Sequence, residues 1–197
     1  MSTLVTREAP DFNAQAVMPD DSFAKLKLSS YRGKYVILFF YPLDFTFVCP
    51  SEILAFDKAV KEFGAHNAEV IGVSVDSHYT HLAWRQVAVS KGGIGRISYP
   101  LVSDLDKSIA RSYGVLLNEA VALRGLFLID THGVVRHALV NDLPLGRSVA
   151  EALRTLEALQ FTEEHGEVCP ANWKKGEEGM KPTAEGVASY LAKHAAK

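Results

Sequence analysis

Short apolar segments alternate along the chain with stretches in which apolar residues recur every three or four positions. Residues 35–41 are continuously apolar, β-branched and aromatic, which predicts a strand buried on both faces. Similar runs predict strands over residues 70–75, 125–130 and 134–140, and the last two are joined by a short hairpin connection. Strands that alternate with helices indicate an α/β layered domain, and the hairpin makes its sheet mixed rather than purely parallel.

Helical periodicity appears between these strands. An apolar stripe repeats every three or four residues from Pro50 to Gly64, which predicts a helix with proline in its first turn and glycine at its end. The same pattern predicts helices over residues 79–89 and 104–113, and a further helix that begins after Ser148 as its N-cap.

The character of the chain changes after Phe161. Residues 162–182 contain three Gly, two Pro and clustered charge, with little periodicity. We therefore expect one α/β domain over residues 3–161 and an extended C-terminal arm over residues 162–197, closed by a short helix over 184–192.

Composition excludes several classes of partner. The net charge of −2 and the pI near 6.4 offer no basic face for a nucleic acid or for a membrane surface. No apolar run approaches the roughly 20 residues that span a bilayer. The first eight residues have no basic segment followed by an apolar one, so we expect a soluble, cytoplasmic protein.

Only two cysteines are present, Cys49 and Cys169. In a reducing cytosol such cysteines are inert, metal-binding or catalytic more often than they are bridged. Cys49 lies where strand, loop and helix meet, and the unpaired N–H groups of a helix start favour a thiolate there. Thr46, three residues earlier, can reach that sulfur, and Pro42 closes the strand and can shield the pocket from water.

The segment from Pro42 to Cys49 resembles the P-x-x-x-T-x-x-C signature of peroxiredoxins. The longer block from Phe39 to Glu52 is similar to typical two-cysteine peroxiredoxins and to bacterial alkyl hydroperoxide reductase peroxidase subunits. Four more blocks match the family in the same order, so the resemblance covers nearly the whole chain: residues 73–84, 124–130, 146–148 and 168–173. It implies a thioredoxin-like fold with a central mixed β-sheet flanked by helices, followed by an extended arm.

The resemblance implies a peroxidase that reduces hydrogen peroxide and organic hydroperoxides. Cys49 would be the peroxidatic cysteine, whose thiolate attacks a peroxide oxygen and becomes a sulfenic acid. Arg124 would hold the thiolate and polarise the peroxide, while Thr46 would hydrogen-bond the thiolate or the substrate. Glu52 would orient Arg124 and Arg147.

The family also implies partners. Cys169 would be the resolving cysteine and would condense with the sulfenic acid of the other subunit to an intersubunit disulfide, which predicts a homodimer. The dimers would assemble into a ring of five. Either thioredoxin or a dedicated disulfide reductase would reduce the disulfide by exchange, and no cofactor is expected.

Two other functions are weighed against this interpretation. A general dithiol–disulfide oxidoreductase of thioredoxin type would need C-x-x-C, and position 52 is Glu. A chaperone role in a large ring stays open. His78 and His81 are three residues apart, but no cysteine or carboxylate cluster with zinc-like spacing surrounds them, so no metal is expected. In the family this region packs between dimers, and we expect these histidines to face a neighbouring subunit.

Overall fold

The computed structural model describes residues 3–194, and the chain divides into two compact units. The first unit ends at Val149 and the second begins at Ala150. Within the described residues no helix is long and apolar enough to cross a membrane.

A seven-stranded mixed sheet organises the first unit. The strand bounds are β1 Asn13–Val17, β2 Phe23–Lys27, β3 Tyr35–Phe40, β4 Ala68–Ser74, β5 Leu101–Ser103, β6 Leu116–Leu117, β7 Val121–Ala122, β8 Arg124–Ile129 and β9 Val135–Asn141. The strand order of the sheet is β2-β1-β5-β4-β3-β8-β9, in which β3 runs parallel to β4 and β4 to β5, while the other neighbours are antiparallel. A separate two-stranded ladder joins β6 and β7.

The centre of the sheet lies where the sequence predicts it. Every residue of β3 and of β8 is buried, because each strand has a neighbour on both sides and apolar side chains on both faces. The predicted hairpin is present, with Gly133 at φ 81° in the turn between β8 and β9. The mixed α/β sheet is therefore confirmed.

Helices α1 Cys49–Ala65, α2 His78–Arg85 and α3 Ser108–Ser112 belong to the first unit. The predicted stripe of α1 is buried at Ile53, Phe56 and Phe63. The stop at Gly64 was wrong by one residue, and the left-handed residue after the helix is Asn67, with φ 53°. Both residue types tolerate that conformation, so the sequence pattern alone did not distinguish them.

Two helices are shorter than predicted. The helix expected over 79–89 ends at Arg85, and a 3₁₀ turn follows at Val89–Lys91. The helix expected over 104–113 begins only at Ser108, because Lys107 adopts φ 62°. The carboxylate of Asp104 instead accepts hydrogen bonds from the backbone of Ile109 and Ala110, at 2.9 and 2.7 Å, and so caps the short helix.

The second unit contains helices α4 Val149–His165, whose first residue closes the first unit, and α5 Ala184–His194. Helix α4 continues through Phe161 to His165, so the arm begins four residues later than the periodicity indicates. A short antiparallel bridge pairs Val168 with Met180 through two backbone hydrogen bonds of 2.9 Å. The division into functional domains at residue 161 stays a prediction.

Candidate active site

The loop between β3 and α1 (residues 41–48) carries the signature motif into the first turn of a helix. Pro42 is buried at its start, and Phe45 adopts a left-handed φ of 56°. Cys49 is the first residue of α1 and has no exposed surface. The backbone N–H groups of a helix start have no partners within the helix, so they present partial positive charge near Cys49.

Two side chains donate towards the sulfur of Cys49. The hydroxyl of Thr46 lies 2.9 Å from Sγ, and Nη1 of Arg124 lies 3.4 Å from it. The Thr46 hydroxyl is also 2.9 Å from the carbonyl oxygen of Leu43. A hydroxyl has one proton, so Thr46 donates either to that carbonyl or to the sulfur, and the thiolate is the stronger acceptor.

Glu52 joins the two arginines one helical turn after Cys49. Its Oε2 accepts a hydrogen bond of 2.6 Å from Nη1 of Arg124. Its Oε1 accepts from Nε of Arg147 at 2.8 Å and from the backbone N–H of Arg147 at 2.9 Å. All three side chains are almost fully buried, so the ion pairs are little screened by solvent.

Backbone carbonyls hold the two guanidinium groups. Arg124 Nε donates to Leu143 at 2.7 Å, and Arg147 Nη1 donates to Phe40 at 2.8 Å and to Gly125 at 2.5 Å. These acceptors lie at one end of the neighbouring strands β3 and β8 and in the segment after β9. The tertiary fold therefore fixes both cations before any substrate arrives.

The charges of this cluster favour an anion at Cys49. One carboxylate, that of Glu52, faces two guanidinium groups, those of Arg124 and Arg147, which leaves one excess positive charge in a buried site. Uncompensated buried charge is costly, and the Cys49 thiolate would balance it. The cluster therefore suits a nucleophilic sulfur.

A second buried network anchors the β3–α1 loop and was missed in the sequence. The Tyr41 hydroxyl donates to Asp44 at 2.8 Å, and Nδ1 of His81 lies 2.7 Å from the other carboxyl oxygen of Asp44. Burial, followed by the charge of Asp44, raises the pKa of Tyr41 far above its ordinary value. Burial also raises the pKa of Asp44, against the hydrogen bond and charge of His81, which lower it. The one feature of the sequence that could have indicated this network is Asp44, an acidic residue inside the signature motif.

His81 corrects one expectation. Its side chain is fully buried within its own chain, where Nε2 lies 3.2 Å from the carbonyl oxygen of Val102, so it does not face a neighbouring subunit. Helix α2 places His81 against the β3–α1 loop, where its partner Asp44 is also buried. Among residues 3–194 no group of three His, Cys, Asp or Glu side chains is arranged to hold a metal ion.

Cys169 lies in the second unit and is half-buried. Its Sγ is 3.5 Å from the carbonyl oxygen of Ala158 and 3.7 Å from the hydroxyl of Thr162. Both contacts are with helix α4. Neither cysteine is bridged.

Comparison with known proteins identifies the family. Residues 5–138, well over half of the chain, match the model of the AhpC/TSA family. The chain belongs to the AhpC/TSA family of peroxiredoxins. Residues 158–193, which include Cys169, match the model called C-terminal domain of 1-Cys peroxiredoxin.

Individual relatives cover almost all of this peroxiredoxin. Alkyl hydroperoxide reductase C of Helicobacter pylori is 57% identical over 196 residues, which are 98% of this chain and 99% of the relative. The mitochondrial thioredoxin-dependent peroxide reductase of Drosophila melanogaster is 54% identical over 193 residues, 96% of this chain and 82% of the relative. The crystal structure of reduced Plasmodium vivax 2-Cys peroxiredoxin has a TM-score of 0.96 at 55% identity and covers 97% of this chain and 100% of that one.

These matches establish a thioredoxin-like fold and thiol peroxidase activity that uses a peroxidatic and a resolving cysteine. In this peroxiredoxin the first unit contains six of the seven predicted site residues. They are Pro42, Thr46, Cys49, Glu52, Arg124 and Arg147. Thr46 and Arg124 contact the sulfur of Cys49, whereas Arg147 contacts Glu52.

Proposed function

We propose that Cys49 is the peroxidatic cysteine and that it reduces hydrogen peroxide and organic hydroperoxides. The observation that carries this assignment is the pair of donors on its sulfur, the Thr46 hydroxyl at 2.9 Å and the Arg124 guanidinium at 3.4 Å. Donors that hold a thiolate can also bind the oxygen of a peroxide placed beside it, because both atoms carry negative charge during the reaction.

The proposed attack is balanced without a cofactor. The Cys49 thiolate attacks the terminal, hydrogen-bearing oxygen of R–O–O–H, an S–O bond forms, and the O–O bond breaks. The sulfur is oxidised to a sulfenic acid, while the leaving oxygen takes a proton and departs as R–OH or as water. Arg124 and Thr46 stabilise the charge that moves from sulfur to oxygen.

Three further residues are proposed to position this machinery. Glu52 holds Arg124 at 2.6 Å, and Arg147 holds Glu52 through Nε and its backbone N–H. Pro42, buried at the start of the β3–α1 loop, would exclude water from the sulfur. Arg147 is thus a positioning residue that acts through Glu52.

We further propose that Cys169 of the partner subunit resolves the sulfenic acid to an intersubunit disulfide. The support is that the chain has two cysteines, that both are unbridged, and that Cys169 is half-buried in a separate unit. An intersubunit disulfide requires a homodimer as the working unit, and we propose a ring of five dimers as its assembly.

The proposed electron donor is thioredoxin or a dedicated disulfide reductase. The name of the Drosophila relative, thioredoxin-dependent peroxide reductase, favours the first. Both donors return the disulfide to two thiols by thiol–disulfide exchange, which suits a cytoplasmic enzyme whose two cysteines are free.

Non-reducing gel electrophoresis tests these assignments. The reduced protein is treated with one equivalent of peroxide, alongside Cys49→Ser and Cys169→Ser variants. A band of twice the monomer mass that requires both cysteines supports the intersubunit disulfide. A wild-type protein that stays monomeric after turnover would contradict it, and a Cys49→Ser variant that still consumes peroxide would contradict the role of Cys49.

A further inference from the structure

Asp76 lies at the edge of the sheet from which the β3–α1 loop also leaves. Strands β3 and β4 are parallel neighbours, with Phe40 opposite Val73, so the segments that follow them lie side by side. The Oδ2 atom of Asp76, two residues after β4, accepts a hydrogen bond of 2.8 Å from the backbone N–H of Asp44. Asp76 therefore binds the loop that carries Thr46, although it lies outside the signature motif.

Hydrogen bonds from the edge of the sheet hold Asp76 in place. The Ser74 hydroxyl donates to the same carboxylate oxygen at 2.7 Å, and the Ser103 hydroxyl donates to the backbone carbonyl of Asp76 at 2.7 Å. Ser74 is the last residue of β4 and Ser103 the last residue of the neighbouring strand β5, and both are buried. The carboxylate of Asp76 is therefore a fixed acceptor for the loop.

The N–H group that Asp76 binds belongs to the same peptide unit as the carbonyl of Leu43. A peptide unit is planar, and in the trans form its N–H and C=O groups point in opposite directions. Fixing the Asp44 N–H therefore fixes the direction of the Leu43 carbonyl, which lies 2.9 Å from the Thr46 hydroxyl. The same hydroxyl lies 2.9 Å from Sγ of Cys49. One peptide unit and one side chain thus connect Asp76 to the sulfur.

The turn that contains this peptide unit depends on its neighbours. The buried network described above holds the carboxylate of Asp44. The next residue, Phe45, has a left-handed φ of 56°, and its ring lies against Trp84 with 5.7 Å between the ring centroids. A left-handed residue other than glycine is unfavourable by itself and persists only where the surrounding structure fixes it. The geometry from Leu43 to Thr46 is therefore set by the contacts of the loop with β4 and α2.

We propose that Asp76 is a positioning residue of the peroxide reaction and acts on the Thr46 hydroxyl through the peptide unit between Leu43 and Asp44. While Asp76 holds this peptide unit, the hydroxyl stays within reach of the Cys49 sulfur and of a peroxide oxygen placed beside it. Once Asp76 is removed, the peptide unit can rotate, the Leu43 carbonyl moves, and the hydroxyl loses its orientation. The proposal rests on the roles proposed above for Cys49 and Thr46.

A double-mutant cycle between positions 76 and 46 tests this route. Asp76→Ala removes the acceptor and should slow peroxide attack about five- to tenfold, because the hydrogen bond from Thr46 to the sulfur is weakened but not lost. In a Thr46→Val protein no hydroxyl is left to position, so the same substitution should change the rate constant less than about twofold. Two residues that act independently would give the same fold-change in both backgrounds. Single-turnover stopped-flow kinetics of the reduced proteins measures the four rate constants.

The conservative variant Asp76→Asn should restore the reaction. Its amide oxygen can accept from both the Asp44 N–H and the Ser74 hydroxyl, so the rate constant should stay within about twofold of wild type. Ser74→Ala provides a second test if Asp76→Ala does not fold. It keeps Asp76 but removes a hydrogen bond that fixes its carboxylate, so attack should slow about two- to threefold when Thr46 is present and stay unchanged in Thr46→Val.

Asp130→Ala is the matched control for lost stability. The buried carboxylate of Asp130 also accepts from the backbone, from the N–H groups of His132 and Val134 at 2.9 Å. It lies beyond Ile129, at the end of β8 opposite to Arg124, so it is remote from Cys49 along the sheet. Asp130→Ala should lower stability in urea unfolding and leave the rate constant for peroxide attack unchanged.

Failure of the inference can be distinguished from failure of the proposed function. The inference is wrong if Asp76→Ala reacts as fast as wild type, if it slows attack equally with and without the Thr46 hydroxyl, or if Asp76→Asn is as slow as Asp76→Ala. Each of these results leaves the role of Cys49 intact. A Cys49→Ser protein that still consumes peroxide contradicts the proposed function itself, and a Thr46→Val protein as fast as wild type contradicts both the role of Thr46 and the inference.

Discussion

Arg147 donates three hydrogen bonds to the carboxylate of Glu52. They run from Nε at 2.8 Å, from the backbone N–H at 2.9 Å and from Nη2 at 3.1 Å. The guanidinium also lies over the ring of Phe39, with its central carbon 5.2 Å from the ring centroid. Arg147 therefore fixes the position of the carboxylate that holds Arg124.

Loss of Arg147 should affect both folding and catalysis. Arg147→Met leaves Glu52 with Arg124 and the backbone N–H of residue 147 as its donors, and it removes the buried donor to the carbonyls of Phe40 and Gly125, so we expect stability to fall by about 1–3 kcal/mol. The rate constant for peroxide attack should fall at least tenfold, because Arg124 is no longer held. Arg147→Lys keeps the charge but not the planar guanidinium group, so its stability and its rate constant should lie between those of wild type and Arg147→Met. Urea unfolding and single-turnover kinetics measure both effects, and equal stability of wild type and Arg147→Met would refute the prediction.

The Thr46 hydroxyl should contribute to the reaction more than to stability. Thr46→Val removes the donor at 2.9 Å from Cys49 while it keeps the side-chain shape. A hydrogen bond to a charged group contributes roughly 1.5–3 kcal/mol, so peroxide attack should slow by about 10- to 100-fold. Thr46→Ser retains the hydroxyl and should stay within a few-fold of wild type. A Val variant as fast as the Ser variant would show that the hydroxyl does not act on the sulfur.

The buried carboxyl of Asp44 should make stability depend on pH. Its pKa in the folded protein is raised above the ordinary value of 3.8, mainly by burial, so the folded state binds the proton more tightly than the unfolded chain does. The stability of wild type relative to Asp44→Asn is therefore greatest at low pH and falls as the pH rises through the folded pKa. The loss amounts to about 1.4 kcal/mol for each pH unit between the folded and unfolded pKa values.

Asp44→Asn is a suitable comparison because an amide can accept from the Tyr41 hydroxyl and donate to Nδ1 of His81. Urea titrations of both proteins at pH 4.5, 6.0 and 7.5, at one protein concentration, measure the difference. A difference that grows in favour of wild type as the pH rises would have the opposite sign to the one expected.

The buried Tyr99 hydroxyl should hold the start of α1 in place. It donates to the Ile53 carbonyl at 2.9 Å, one turn after Cys49. Cys49 has no exposed surface, so the disulfide proposed above with Cys169 requires this turn to rearrange first. Tyr99→Phe should cost about 1 kcal/mol of stability and should speed disulfide formation after peroxide attack.

Tyr113→Phe is the matched control, since the hydroxyl of Tyr113 donates to Pro10, away from α1. It should cost a similar amount of stability and leave the rate of disulfide formation unchanged. Stopped-flow fluorescence measures the rate in each variant. Equal acceleration by both substitutions would assign the effect to general destabilisation.

Strong apolar runs predicted the long buried strands of the sheet, whereas the short strands have weak apolar patterns and were not predicted. Strands β3 and β8 have six buried residues each, a signal that local sequence carries. Strands β1, β2, β5, β6 and β7 were missed because they are two to five residues long, and β1 and β2 carry exposed polar positions. Their pairing depends on neighbours far away in the chain, as in the match of Ala16 with Val102.

The amino-acid sequence by itself determined the chemistry of this protein. It placed Cys49 at a helix start, placed Thr46 three residues before it, and through family resemblance singled out Glu52, Arg124 and Arg147. Only the tertiary structure decided which group acts on which. It put Arg124 on the sulfur and Arg147 on Glu52, and it paired Asp44 with His81, 37 residues later. The physical reason is that burial forces each polar group to find a partner, and that partner is set by how strands and helices pack rather than by distance along the chain.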